Sequence, residues 1–221
     1  MSKKTKTLFE LARRRRASSL PGYFNLHEFH NGTYDCDFVS PYSLGAGNVD
    51  TAIFVVLQDW VSADYLVGEI NNDLVNIGRD PKLPTNKTLS KLLKRYFNQN
   101  IEDVFATNLF PFIKPGGMST TIANKDLRFA AERFAWPQIF TVKPRLVIAL
   151  GLNTFNALRH SQGFKRVSRM HEAIESPFTV KGFQVWCQAH TGGMGQATRN
   201  RGRVDRVTSD WQKMERWYSS S

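Results

Sequence analysis

Four short apolar runs, separated by stretches of helical periodicity, narrow the folds open to this chain more than any other feature. "TAIFVVL" (51–57) is β-branched and nearly continuously apolar, the composition of a strand covered on both faces rather than one. "DVFATNL" (103–109), "PRLVIAL" (144–150) and "FQVWCQA" (183–189) repeat that composition. Between them, "TNKTLSKLLKRYFNQ" (85–99) sets Leu89, Leu92, Leu93 and Tyr96 on one helical face, with Thr85 or Asn86 as the expected N-cap after Pro84. Residues 122–141 read as a helix with a stop or kink at Pro137, another helix begins at Gly151, and a last one covers roughly 204–218. Strands alternating with helices predict an α/β fold: a three-layer α/β/α sandwich around a mainly parallel four-stranded sheet.

With 221 residues, 41% of them hydrophobic, the chain can bury one full core. We expect a single domain over 20–221, preceded by a basic arm, residues 1–19, whose short helical middle carries Leu8, Phe9, Leu11 and Ala12. The arm reads either as a solvated flexible segment or as an anchor for phosphates. Its Arg13 to Arg16 run also has the composition of a nuclear address, and its Arg and Ser content that of a transit peptide. A formal net charge of +11 calls for a polyanionic partner, nucleic acid or an anionic membrane surface. No apolar run reaches the roughly 18 to 20 residues of a membrane span. Two cysteines, Cys36 and Cys187, are too few for a disulfide framework or a four-thiolate cluster. These features lead us to expect a cytoplasmic monomer with no membrane partner.

In parallel sheets ligands bind beyond the carboxyl ends of the strands. Asp59, Asn108 and His190 are each read as lying just past such an end, so the fold should gather them at one rim. Each also has an ordinary explanation: a helix cap for Asp59, a loop hydrogen bond for Asn108, a turn histidine for His190. "SLGAGN" precedes a strand and reads as a turn, not a dinucleotide fingerprint. "HEFH" (27–30) lacks further metal ligands nearby, and Cys187 reads as a buried strand thiol rather than a nucleophile.

Taken in order, four segments resemble motifs of the uracil-DNA glycosylase superfamily. "VVLQDW" is similar to its first motif, a strand running into Gln-Asp, and "ATNLFPF" to the strand ending in the asparagine that reads the pyrimidine. "KPRLVIALGLNTFNAL" resembles its structural strand and helix, and "CQAHTGGMGQATRN" occupies the place of the His-Pro-Ser motif and the DNA-inserting loop. The match covers roughly residues 38–200. The resemblance implies a DNA glycosylase that hydrolyses the N-glycosidic bond of uracil or a related deaminated base, with DNA as partner and no metal or redox cofactor.

Such cleavage builds positive charge on the sugar and negative charge on the departing base, so it needs a carboxylate below the sugar and a donor at the base oxygen. The resemblance assigns these roles to Asp59 and His190. Asn108 would read the base edge, and Gln58, Trp60 and Phe110, with Leu83, would complete the base pocket. Met194 and Gln196 are the candidate wedge, and Arg199, Arg201 and Arg203 the candidate phosphate contacts. Trp60 and Val61 stand where the best-known branch has Pro-Tyr, so the tyrosine that would exclude the thymine methyl is absent there. Thr191 and Gly192 replace Pro-Ser, and the cysteine count excludes the iron-sulfur cluster of some relatives. Two other functions accommodate parts of the pattern: a catalytically silent nucleic-acid-binding protein of the same fold, and a hydrolase acting on a free nucleoside or nucleotide.

Overall fold

The computed structural model describes residues 1–202 and 204–220. The sheet is built from β1 (Ile53–Asp59), β2 (Phe105–Phe110), β3 (Leu146–Leu150), β4 (Phe178–Val180) and β5 (Phe183–Gln188), in the order β2-β1-β3-β5-β4. Four of the strands run parallel, and β4 joins the edge antiparallel to β5, so the sheet has five strands rather than the four expected. The two-residue connection between β4 and β5, Lys181 (φ 49°) and Gly182 (φ 88°), has positive φ at both positions, as a tight hairpin of type I′ requires.

The sheet is apolar on both sides because its strands are covered on both sides. From β1, Phe54 and Val56 enter one core, and Ile53, Val55 and Leu57 enter the other. The first core is closed by α1 (Lys3–Arg16), by α5 (Asn124–Ala130) and α6 (Trp136–Val142) with the π-helical turn Ala131–Ala135 between them, by α7 (Leu152–Ser161) and by α8 (Met170–Glu175). The second is closed by α2 (Ala63–Leu66), α3 (Asn72–Ile77), α4 (Pro84–Phe97) and α10 (Arg206–Ser220), and the short α9 (Gly193–Arg199) precedes α10.

Three local readings are sharpened or corrected. The segment at residues 3–16 is not a solvated arm. Leu8, Leu11 and Ala12 of α1 are buried in the main core, and Arg15, fully buried, reaches the Asp35 carboxylate at 2.6 Å and the carbonyls of Cys36 and Phe38. Of the stop or kink expected at Pro137 there is no stop: helical structure runs from Asn124 to Val142, with a π turn just ahead of the proline and the Gln138 side chain donating to the Phe134 carbonyl. At α4 the N-cap is Leu83, with Pro84 opening the helix, because Asn86 is engaged elsewhere, with the Asp80 carbonyl and the Tyr42 hydroxyl.

Among the described residues no helix is long and apolar enough to cross a membrane. Both cysteines are free, and burial pushes the Cys187 thiol well above its usual range, consistent with a strand thiol that stays protonated.

Candidate active site

The strand order reverses at β1 and β3: from β1 the chain moves outward to β2, then crosses back to β3 on the other side. A crevice forms where such a reversal occurs, beyond the strands' carboxyl ends. Here it is a cleft of about 780 Å³, and Asp59, Asn108 and His190 all line it. The three residues singled out in the sequence are therefore brought together.

Asp59 closes β1 with its side chain 12% exposed. Lys114 Nζ lies 2.7 Å from Asp59 Oδ2 and also donates to the Met118 carbonyl at 2.6 Å, while Gln58 Nε2 donates to Asp59 Oδ1 at 3.1 Å. The Lys114 side chain is only 4% exposed. A costly carboxylate at the end of an apolar strand thus has a cationic partner in the loop that follows β2.

Asn108 sits inside β2, almost wholly buried. Its Nδ2 donates to the Asp59 carbonyl at 2.7 Å and its Oδ1 accepts from the Ser40 hydroxyl at 2.6 Å. These two bonds fix which way the amide faces. They leave one N–H and one oxygen lone pair on adjacent atoms at the cleft, a donor next to an acceptor.

His190 follows β5 by two residues. Its Nδ1 accepts from the Gly192 backbone N–H at 3.0 Å, so the neutral ring carries its proton on Nε2. Burial lowers its pKa, opposed by the nearby Asp59 charge. Burial thus favours the neutral imidazole, in which Nε2 is the donor. The loop is shaped around it: a Cβ at Gly195 would lie 2.4 Å from the His190 carbonyl oxygen, and one at Gly192 would lie 3.0 Å from Nδ1. Thr191 turns into the interior, fully buried.

The remaining expected site residues divide. Gln58, Trp60, Leu83 and Met194 line the cleft. Trp60 does so with its indole N–H already donated to the Gly78 carbonyl at 2.7 Å, which leaves its ring face as the usable part. Met194 is 85% exposed, free to meet a ligand. Phe110 is not a pocket residue: it is fully buried, packed against Tyr23 and Phe112. Gln196 does not project as a wedge, since its side chain donates back to the His190 carbonyl at 2.9 Å and braces the loop. Arg199 also lines the cleft, its guanidinium held by both oxygens of Asp210 at 2.6 and 2.8 Å. Arg201 is exposed, and Arg203 lies outside the described residues.

Sequence reading missed Lys114 and Ser40. Lys114 carried one signal: a lone charge closing the apolar run "LFPFI", directly before a Pro-Gly-Gly loop. Ser40 carried none. No protein-family model matches the chain, and no curated protein matches it.

Proposed function

We propose that this cleft is the active site of a DNA glycosylase acting on uracil or a related deaminated base, in a three-layer fold like that of the uracil-DNA glycosylase superfamily. The observation that carries the reading is the meeting of a carboxylate, a buried amide and a neutral imidazole at the crossover end of the sheet. Asp59 supplies negative charge to a sugar that becomes cationic as the bond breaks. The neutral His190 donates through Nε2 to the oxygen of the departing base, where negative charge collects. An imidazolium would surrender its proton to that anion too early, and a ring with Nδ1 protonated would lose the Gly192 bond that aims it. Asn108 offers its remaining N–H and lone pair to the adjacent acceptor and donor of a uracil edge. Met194 is placed to fill the space left by an extruded nucleotide, and the +11 charge draws the phosphate backbone.

The test is incubation with labelled oligonucleotides bearing uracil, hypoxanthine, xanthine or a thymine mismatch, followed by alkaline cleavage. Alkali-labile sites at uracil or another deaminated base support the reading, and an intact panel overturns it. The Lys114–Asp59 ion pair favours a second reading, a nucleic-acid-binding protein without excision, because a carboxylate already neutralised has less charge to offer a cationic sugar. DNA retention with an intact panel is the outcome belonging to that reading.

A further inference from the structure

We propose that Lys114 is a nucleophile: its side-chain amine forms an imine with C1′ of an abasic deoxyribose held in the cleft, giving the protein an abasic-site lyase activity beside base excision. The inference rests on the reading of the cleft as a site for DNA. Its basis is a geometry that covalent catalysis by an amine requires. The nucleophile and its base lie within hydrogen-bond reach, Lys114 Nζ to Asp59 Oδ2 at 2.7 Å, and a third group orients the base, Gln58 Nε2 to Asp59 Oδ1 at 3.1 Å. Lys114 is the one lysine among the described residues lining the cleft. Its backbone is pinned, because its carbonyl accepts from the Ala63 N–H at 2.9 Å and an isolated β-bridge joins it to Ser62. The amine therefore approaches a bound sugar from a fixed root. An ion pair serving stability alone has no need of a place in the wall of an open cleft.

The step balances without any other reagent. Asp59 takes a proton from the Lys114 ammonium, and the freed amine adds to the C1′ aldehyde of the ring-opened abasic sugar. An N–C bond forms, the carbonyl π bond breaks, and its oxygen is protonated. Loss of water then gives the imine. Asp59, a carboxylate again once its proton has left with that water, takes a C2′ proton; the C–H electron pair forms the C2′–C3′ double bond as the C3′–O bond breaks, and the 3′ phosphate leaves with that bond's electrons, nicking the strand. Hydrolysis of the imine returns the amine.

The experiment uses the full chain with an oligonucleotide whose abasic site was made beforehand by acid depurination, in the presence of sodium borohydride, which reduces an imine to a stable amine. The expected result is a protein–DNA adduct on a denaturing gel that peptide mass spectrometry maps to Lys114, with the adduct falling at least tenfold in Lys114→Arg. Arginine keeps a cation beside Asp59 but has no amine able to form the imine. No adduct, or an adduct mapped to another amine such as Lys3 or Lys6, overturns the proposal, and the wild-type mapping decides even where the variant folds poorly. Because the abasic site is supplied, base excision is not needed. Trapping at Lys114 with an untouched uracil oligonucleotide would uphold the lyase while removing the glycosylase.

Discussion

Lys114 and Asp59 come from loop and strand far apart in the chain, yet their Nζ and Oδ2 lie 2.7 Å apart with neither side chain more than 12% exposed. Asp59→Asn should therefore do two separable things. Base excision should fall by about 10² or more, the scale of losing one electrostatic stabiliser. Stability should fall by roughly 3 to 5 kcal/mol, because the nearly buried Lys114 is left without its counter-charge. In denaturant unfolding, the double variant Asp59→Asn with Lys114→Met should be less destabilised than the sum of the two singles. Simple additivity would show that the pair is not coupled.

His190 should be neutral at pH 7, protonated on Nε2 and bare on Nδ1, as read by nitrogen-proton correlation NMR. Its pKa, lowered by burial, should lie below the ordinary value of about 6.5. The unfolded chain then takes up the proton first as pH falls. This group's share of stability is thus intact above about pH 6.5 and lost as pH drops towards the folded pKa. An imidazolium persisting at pH 7 would contradict the donor role.

Deleting residues 1–16 should destabilise the protein rather than trim a tail. Leu8 and Leu11 each contribute roughly 1.5 to 3 kcal/mol of burial, and Asp35 would lose the fully buried Arg15. The electrostatic role of the segment is better tested by changing its exposed Lys3, Lys6 and Arg14 to Gln. If all three contact phosphates, the slope of log affinity against log salt should shrink by up to about 0.9 per residue. An unchanged slope would place the DNA surface elsewhere.

Met194→Ala should leave excision from single-stranded substrate nearly unchanged and slow it on duplex by about tenfold, since only the duplex must be unstacked and held open. Equal effects on both substrates would make Met194 an ordinary part of the pocket.

The sheet was legible where the chain is uniformly apolar. The four parallel strands lie within about two residues of the runs that announced them. Strand β4 was not, because Phe178, Thr179 and Val180 are too few for a period and their turn is Lys-Gly rather than a stronger hairpin pair. The meeting of Asp59, Asn108 and His190 followed from strand ends alone. Their partners did not, since nothing near Asp59 in sequence says that Lys114 folds back to it. Phe110 failed for a related reason. A position beside the cleft in sequence does not tell whether the side chain faces it, and Phe110 is claimed instead by aromatic packing, whereas Arg199 does line the cleft while paired with Asp210. Pro137 signalled an irregularity but not its kind: the helix continues through it behind a π turn whose Phe134 is buried in the core.

The backbone crowding around His190 also fixes how the loop from 192 to 195 can diverge. Gly195 has no room for any side chain, Gly192 almost none, whereas Gly193 faces open space. In a saturation library selected for function, position 195 should admit glycine alone and position 193 nearly anything. The loop could then acquire new contacts to a ligand through 193 and 194 without disturbing the imidazole, so its adaptable half and its fixed half lie side by side in four residues.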